Sequence, residues 1–338
     1  MIILGIESSC DETSAGVIKD DLTVLSNRIY SQKDHEKFGG VVPEIAAREH
    51  IKKIDTVVAS ALEETGVKAE EIGLVAATNS PGLIGALLVG LSFAKGFAYK
   101  YNVPFVTVNH MDAHVRANHL AFPELEPPYT VLVVSGGHTF ILNCDHNNRY
   151  ELLGNTLDDA AGEAIDKGGK VLGIGYPAGR ELERLSKLGN ASAFNFPRAL
   201  PEKVNLNFSF SGLKTALKNQ LKKMAPQEIT EKLNDIAASY QEAIMDQLSI
   251  KALNAMKMTG SNKLLLAGGV ACNGRLREKI QNGMKGENKL YFPPLSLCTD
   301  NGAMIAAAGL LKYKRLGADP LTAGASAVFN LTEVNYGS

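Results

Sequence analysis

Residues 129–143 read YTVLVVSGGHTFILN, in which two apolar runs flank the small polar turn Ser135–His138. The start of the chain has the same pattern, because the apolar runs Ile2–Ile6 and Ala15–Ile18 flank the polar loop Glu7–Ser14. Short apolar runs separated by polar turns are typical of paired strands. Two halves that open with the same strand–turn–strand pattern predict an internal duplication.

Strand and helix patterns alternate along the first half of the chain. Apolar residues recur at helical spacing between Pro43 and Leu62, and a Gly/Ala-rich helical stretch covers residues 83–99. Strand-like runs, Leu74–Thr78 and Pro104–Val108, lie beside these helical stretches. The alternation predicts an α/β protein built from βαβ units, with a largely parallel sheet and helices on its faces.

A stiff, proline-containing segment at Phe122–Pro128 indicates a domain boundary. We therefore expect an N-terminal lobe over residues 1–122, a C-terminal lobe over 129–315 and a C-terminal tail over 316–338. Within the second lobe, long helical patterns around an irregular segment predict a helical insertion over about 179–258.

The composition is that of an ordinary globular protein. The 338 residues are 45% hydrophobic and 21% charged with a formal net charge of −1, which excludes disordered, collagen-like, coiled-coil and polycationic classes. The four cysteines form no C-x-x-C pair, so we expect neither a disulfide framework nor a structural zinc site. No signal-peptide or membrane-spanning pattern is recognisable. We expect a soluble, cytoplasmic protein with no membrane partner.

Two glycine-rich turns follow strand-like runs, namely Ser135–His138 and Gly268–Val270. Glycine lets a backbone approach a phosphate closely and direct its N–H groups at it, although such turns are more often plain connections. With the polar loop Ser8–Ser14, the two turns resemble the phosphate loops of the actin, sugar-kinase and Hsp70 superfamily. Neither a Walker P-loop nor the dinucleotide pattern G-x-G-x-x-G is present.

The segment His110-Met-Asp-Ala-His114 is the sharpest local signal. Residues four apart on a helix share a face, so both imidazoles could bind one metal ion. Two partly exposed helix histidines are the alternative interpretation. The position after a buried strand favours a ligand site. A third ligand has to come from elsewhere, and a carboxylate is chemically suitable.

Three other features have both a structural and a functional interpretation. Asp300, before an Ala-rich helix, fits a helix cap by itself or through Thr299. Asp166 fits a carboxylate that hydrogen-bonds a ribose. Between Asp166 and Lys223, eleven Lys/Arg oppose four acidic residues. Such a local excess is expected either of a solvated face or of a surface that contacts a nucleic-acid backbone.

Several motifs occur in an order that carries a family resemblance. In chain order they are ESSCDET (7–13), GGVVPE (39–44), KG, YNVPFV and HMDAHV (95–115), SGGHT (135–139), GEAIDK (162–167), FSFSGLK (208–214), GGVACN (268–273) and CTDNG (298–302). Together they resemble the family once called glycoproteases, the bacterial TsaD tRNA N6-adenosine threonylcarbamoyltransferases. The resemblance covers nearly the whole chain.

The resemblance implies a two-lobed, actin-like ATPase fold built from a duplicated mixed-sheet domain. It also implies one divalent metal per chain, Fe²⁺ with Zn²⁺ possible in preparations, held by His110, His114 and Asp300. By the same mapping, the substrate threonylcarbamoyl-AMP would be bound by Val133, Val134, Ser135, Gly136, Gly137, Asp166, Gly179, Glu183 and Asn273.

The implied reaction is transfer of the threonylcarbamoyl group from L-threonylcarbamoyl-AMP to N6 of adenosine 37 in tRNAs that read codons beginning with A. AMP is released. The resemblance does not name the catalytic base, for which Asp11 and Glu12 are candidates. The implied partners are tRNA, an inactive TsaB-like paralogue and a TsaE-like P-loop ATPase, and the Gly/Ala-rich first half offers a surface for a dimer.

The main alternative is an actin-like small-molecule kinase or ATPase. A zinc peptidase is disfavoured because Met111 stands where its general base would be glutamate, and a scaffold would not need both histidines and Asp300. The chain departs from the family pattern at Ser80, where glycine is usual, and at Ala178 and Arg180, where glycine and proline are usual.

Overall fold

The computed structural model describes residues 1–328 and residue 330, with Glu36 by its backbone alone, and the chain divides into two compact units. The first unit comprises Met1–Pro127, His146–Tyr150 and the chain from Pro293 onward, and the second comprises Pro128–Asp145 and Glu151–Phe292. Residues 329 and 331–338 of the expected C-terminal tail lie outside the described residues.

The first unit contains a five-stranded mixed sheet in the order β3-β2-β1-β4-β5. The strands are β1 (Ile2–Glu7), β2 (Glu12–Lys19), β3 (Val24–Ser31), β4 (Ile72–Ser80) and β5 (Phe105–Asn109). β1 and β3 each pair antiparallel with β2, whereas β1, β4 and β5 are parallel. Five of the six residues of β1 are buried, as both faces of this sheet are covered.

The second unit contains a sheet of the same topology, ordered β10-β9-β6-β7-β8. Its strands are β6 (Tyr129–Val134), β7 (Thr139–Cys144), β8 (Tyr150–Asn155), β9 (Lys263–Ala267) and β10 (Lys289–Tyr291). β6 pairs antiparallel with β7 and parallel with β9, as β1 does with β2 and β4. The predicted duplication is therefore confirmed, and each sheet is mixed because the opening hairpin contributes antiparallel pairs.

Helices connect and cover the strands. They are α1 (Pro43–Thr65), α2 (Ile84–Tyr101), α3 (His110–Ala121), α4 (Ala161–Leu172), α5 (Gly179–Ser186), α6 (Ser211–Leu221), α7 (Pro226–Glu231), α8 (Leu233–Thr259), α9 (Gly274–Gly283), α10 (Leu295–Cys298) and α11 (Gly302–Leu316). Within the expected helical insertion, α7 and α8 are separate helices because the backbone leaves helical geometry at Lys232 (φ −101°, ψ 12°). Among the described helices, none combines the length and apolarity needed to cross a bilayer.

Helix α11 packs on the first sheet and belongs to the first unit, whereas residues up to 315 were expected in the second lobe. A Cβ atom at Gly5 would lie 2.1 Å from the carbonyl oxygen of Gly302, and one at Gly16 would lie 2.2 Å from Ala303 N. At such distances no Cβ atom fits, so the backbone of α11 lies directly against the backbone of β1 and β2. Gly5 and Gly16 are almost 300 residues from Gly302 in the sequence, and a contact over this separation is not visible in the local sequence pattern from which the boundaries were predicted.

In the second unit, α8 is the central helix. Its side chains Ile236, Tyr240, Ile244 and Leu248 are fully buried, and the Tyr240 hydroxyl donates to the carbonyl oxygen of Ala164 on α4 at 2.8 Å. The Glu242 carboxylate joins α8 to α9, because it accepts two hydrogen bonds from Arg275, each 2.8 Å, and one from Lys279.

This ion pair predicts a pH-dependent contribution to stability. The hydrogen bonds from Arg275, with those of Lys279, lower the pKa of Glu242 from 4.5 to about 2. A lowered folded-state pKa stabilises the protein above the unfolded pKa, and this contribution is lost as the pH falls towards 2. We expect Glu242→Gln to lower the free energy of unfolding by about 2 kcal/mol at neutral pH. Urea denaturation at several pH values measures the difference.

The control is Glu181→Gln, which removes an exposed pair with Arg184 and should have little effect. An equal loss of stability for Glu242→Gln at neutral pH and near pH 2.5 would contradict the assignment.

Candidate functional site

The two histidines of the predicted metal site lie where β5 passes directly into α3. Asn109 caps the helix, since its Oδ1 accepts hydrogen bonds from the backbone N–H groups of Met111 (2.9 Å) and Asp112 (3.3 Å). His110 and His114 are one turn apart, and their ring centroids are 4.6 Å apart. The helix start therefore fixes both imidazoles on one face.

Asp300 joins the two histidines from the loop before α11. Its Oδ1 lies 3.4 Å from His110 Nε2 and 3.1 Å from His114 Nε2. The side chain that caps α11 is Asn301, whose Oδ1 accepts from Met304 N at 3.0 Å, so the cap expected of Thr299 or Asp300 is not formed by them. The potential ligand atoms of His110, His114 and Asp300 lie within 4.8 Å of one another.

Both histidines of the triad are buried, contrary to the alternative of two partly exposed histidines, and Asp300 is partly exposed. His110 is 6% exposed and His114 is 1% exposed. Within the described part of the chain, neither ring nitrogen of His114 makes a hydrogen bond, although Nε2 is only 3.1 Å from Asp300. The contact thus has the length but not the direction of a hydrogen bond. Buried nitrogens without partners beside a carboxylate fit a site for a divalent first-row metal.

Glu7, at the end of β1, positions His110 and was not identified from the sequence as a site residue. It is fully buried, and its Oε2 accepts hydrogen bonds from His110 Nδ1 (2.9 Å) and Thr78 Oγ1 (2.6 Å), while Oε1 accepts from Ser9 N (2.5 Å). A carboxylate that holds Nδ1–H leaves Nε2 free for a metal. The sequence did contain a signal for this residue: Glu7 ends an apolar, strand-like run, and a carboxylate that is buried with such a strand needs polar or charged partners.

The electrostatics of the triad favour charged groups. Burial raises the pKa of Glu7 and of Asp300, but the charge and hydrogen bond of His110 outweigh it and hold both values below the ordinary range. Burial lowers the pKa of His110, but Asp300 and Glu7 outweigh it and raise the pKa well above its usual value. The site therefore has an excess of negative charge that a cation would balance.

The two candidates for the base lie where the loop after β1 passes into β2: Asp11 ends the loop and Glu12 is the first residue of β2. His50 fixes the loop, because its Nε2 donates to the carbonyl oxygen of Cys10 (2.9 Å) while its Nδ1 lies 2.7 Å from Thr13 Oγ1. Burial, followed by the charges of Asp300 and Asp11, raises the pKa of Glu12 well above its ordinary value. The negative charge of Asp300 therefore makes ionisation of Glu12 less favourable.

The glycine turn of the second unit has the openness that a phosphate loop needs. Val133 and Val134 end β6 and are buried, whereas Gly136 and Gly137 are exposed. A Cβ atom on either glycine would meet nothing within 4 Å. Packing therefore does not require these glycines, and the space above them is open to a ligand. On the inner side, a Cβ at Gly162 would lie 2.5 Å from Ser135 O, which fixes the start of α4 beside the turn.

The remaining predicted substrate residues lie on three neighbouring helices: Asp166 is in the middle of α4, Gly179 and Glu183 are on α5, and Asn273 is the cap of α9. Asp166 Oδ1 accepts from Ala178 N (2.8 Å) just before Gly179, and Glu183 Oε1 accepts from Gly274 N (3.2 Å). Asn273 caps α9 through Leu276 N (3.1 Å). A Cβ at Gly268 would lie 2.5 Å from Val134 O, so the second glycine turn touches the first. The hydrogen bonds therefore connect α4 with the start of α5, and α5 with the start of α9.

Two of the three departures from the family pattern, Ala178 and Arg180, lie at and after the junction of α4 and α5. Ala178 is fully buried, and its Cβ would lie 2.1 Å from a Cβ at Gly169, so it fills the junction of α4 and α5. Arg180 is exposed.

Comparison with known proteins decides the family. The sequence profile of the family described as "TsaD: tRNA N6-adenosine threonylcarbamoyltransferase" matches residues 23–307. A relative of that name from Fervidobacterium nodosum is 50% identical over 93% of this chain and 94% of its own. One from Clostridioides difficile is 49% identical over 93% of both chains. The chain belongs to the TsaD family.

Solved structures show the fold of this TsaD-family chain. Component A of (R)-2-hydroxyglutaryl-CoA dehydratase from Acidaminococcus fermentans superimposes with a TM-score of 0.56 at 16% identity, covering 93% of this chain and 98% of its own. Full-length HypF in its phosphate- and nucleotide-bound form gives 0.58 at 15% identity, covering 94% of this chain and 47% of HypF. These neighbours confirm the actin-like ATPase fold.

Family membership also settles the alternatives. The chain is a transferase of the TsaD type, and so the kinase interpretation loses its support. Met111 is 1% exposed, and it occupies the position at which a zinc peptidase of the H-E-x-x-H type would carry its glutamate.

The geometry of the triad predicts how substitutions change metal binding. We expect His114→Ala to abolish binding of one divalent ion per chain, because it removes a buried ligand. Glu7→Gln should weaken binding about 10- to 100-fold, because an amide no longer fixes the His110 tautomer. Titration of the apo-protein with Zn²⁺, and with Fe²⁺ under anaerobic conditions, measures both affinities.

The matched control is His119→Ala, on the same helix but five residues beyond His114 and therefore on a different side, which should bind metal as the wild type does. If His114→Ala keeps wild-type affinity, the assignment of the triad is wrong.

Proposed function

We propose that this chain transfers the threonylcarbamoyl group of L-threonylcarbamoyl-AMP to N6 of adenosine 37 in tRNAs that read codons beginning with A. The N6–carbon bond forms, the bond between the carbonyl carbon and the phosphate oxygen breaks, AMP leaves and N6 loses a proton. The observation that carries the proposal is the identity of about half of all residues with named enzymes of this activity over 93% of the chain.

His110, His114 and Asp300 would hold the metal, Fe²⁺ by the family resemblance with Zn²⁺ as a possible substitute. Two imidazoles and one carboxylate suit either ion and leave coordination positions open. When bound, a divalent ion supplies a Lewis acid for the carbonyl that is attacked. Glu7 keeps Nδ1 of His110 protonated, and therefore directs the other nitrogen of the ring towards Asp300.

The second unit would bind the adenylate through Val133, Val134, Ser135, Gly136, Gly137, Asp166, Gly179, Glu183 and Asn273. The open glycine turn offers backbone N–H groups to the phosphate, and the adjacent start of α4 adds the partial positive charge of a helix N-terminus. Asp166 is held by its hydrogen bond from Ala178 N. A carboxylate that is held in place is suited to accept a hydrogen bond from a ribose hydroxyl.

The proton of N6 has to be removed as the new bond forms. Glu12 is a candidate for this base because burial and the neighbouring carboxylates raise its pKa well above the ordinary value and so make it a stronger base than a free carboxylate; Asp11, its neighbour, is the second candidate.

The partners follow the family. We place the reaction in the cytoplasm, with tRNA as acceptor, a TsaB-like paralogue and a TsaE-like ATPase as protein partners, and no membrane. α2 exposes Ile84 (43%), Leu88 (46%) and Tyr99 (81%) along one stripe, which offers apolar surface either to the paralogue or to a second copy of the chain.

Transfer itself is the first experiment. Purified protein, TsaB- and TsaE-like partners, threonylcarbamoyl-AMP and an unmodified tRNA with A37 are incubated, and the digested tRNA is analysed by mass spectrometry. We expect the modified nucleoside, and we expect it to disappear after chelation and return with metal. If no product forms while a known TsaD is active with the same partners, the proposal is wrong.

A second prediction tests the phosphate loop. Gly137→Ala should leave the melting temperature unchanged, because its Cβ meets open space. It should raise KM for threonylcarbamoyl-AMP by about 10-fold, since the methyl group occupies the approach to the backbone N–H groups. Gly324→Ala, which also meets nothing within 4 Å, is the matched control. An unchanged KM for Gly137→Ala would remove the loop from the binding site.

A further inference from the structure

A stripe of lysines runs along α6. Lys214, Lys218 and Lys222 are four residues apart, and the hydrogen bond from Lys222 N to Lys218 O (3.1 Å) shows that Lys222 continues the helical geometry. Residues with this spacing lie one above the other on a helix, so the three ammonium groups share one side over about 12 Å. We call Lys214, Lys218 and Lys222 the α6 lysine stripe.

The helix that carries the stripe is firmly placed. Asp158 holds its start, because Oδ1 accepts from Phe210 N (2.8 Å) and Oδ2 accepts from the hydroxyls of Ser209 (2.6 Å) and Ser211 (2.8 Å). Leu213 and Leu217, about 100° around the helix from the lysines, are buried. Lys218 and Lys222 are exposed and Lys214 is half-buried, so the packing of the leucines leaves the lysine side towards the surface.

The charge of the stripe is not compensated. α6 itself contains no acidic residue. Other basic residues of the region between Asp166 and Lys223 are paired: Lys167 with Asp159, Arg184 with Glu181, Lys187 with Glu183 and Arg198 with Asp246. Within residues 1–328, the three lysines of the stripe form no ion pair. Seven of the eleven basic residues in this region form no ion pair with the described residues, and three of these seven lie on one side of α6.

Helix energetics do not account for this arrangement. Like charges four residues apart destabilise a helix. The helix dipole favours the lysines near the C-terminal end, but it disfavours Lys214 near the N-terminal end. An unfavourable row of cations on a fixed helix is what a polyanionic ligand would stabilise.

We propose that the α6 lysine stripe binds the phosphodiester backbone of the RNA substrate. The inference rests on the proposed function in so far as it takes tRNA to be the acceptor. Ammonium groups on flexible stems neutralise phosphates without reading bases. The stripe would therefore set the affinity and the salt dependence of tRNA binding, and leave the choice of nucleotide to other residues.

The experiment compares two triple variants with equal changes of charge. The test variant is Lys214→Gln with Lys218→Gln and Lys222→Gln. The control carries Lys257→Gln, Lys285→Gln and Lys289→Gln, at exposed positions of the same unit. Binding of an unmodified tRNA transcript to the full-length protein is measured by filter binding between 50 and 200 mM salt (about the range over which counterion effects are large). Thermal melting verifies that both variants fold.

We expect the test variant to bind tRNA about 10- to 100-fold more weakly, and the slope of log Kd against log salt to fall by about two to three, since three phosphate contacts are lost. The control should keep the wild-type slope. A test variant with wild-type affinity and slope, or a control with the same loss, would overturn the inference. Because binding is measured without transfer, a chain that binds through the stripe but transfers nothing would refute the proposed function alone.

Discussion

The hydrogen bonds accepted by the fully buried carboxylate of Glu7 hold the candidate metal site of the first unit together. The carboxylate accepts hydrogen bonds from Ser9, Thr78 and His110, and therefore joins the loop after β1, the strand β4 and the start of α3. A buried charge without such partners would cost several kcal/mol. The same contacts that satisfy the charge also fix the tautomer and the orientation of His110, a candidate metal ligand. Stability and chemistry are thus served by one set of hydrogen bonds.

The third ligand depends on a different constraint, the close approach of α11 to the sheet. Gly302 N donates to Ser14 Oγ at 2.8 Å, and Ala303 N donates to Asn27 Oδ1 at 3.2 Å. These contacts hold the first turn of α11 against β2 and β3. Asp300, two residues earlier, has little freedom to move away from the histidines. A larger side chain at Gly16 would displace the helix and the carboxylate together.

This division explains what the sequence could and could not predict. The strand–turn–strand pattern at 129–143 and its counterpart at the N-terminus depend on local periodicity, so the duplication was visible. The pairing of α11 with the first sheet depends on glycines separated by nearly the whole chain, and no periodicity reports it. For the same reason, spacing identified His110 and His114, while Asp300 came only from the family resemblance and the positioning role of Glu7 was missed.

Charge gives a further example of the difference between sequence and structure. The sequence shows eleven basic residues against four acidic ones between Asp166 and Lys223, and both a solvated face and an RNA-binding surface agree with that count. The structure divides the same residues into those that pair with acids on their own or adjacent helices and those that do not. The charge of a paired cation is partly neutralised by its carboxylate, so the pair attracts a phosphate less strongly than an unpaired cation does. The lysines on α6 have no acidic partner among the described residues, and this is the part of the region that we propose as the RNA-binding surface.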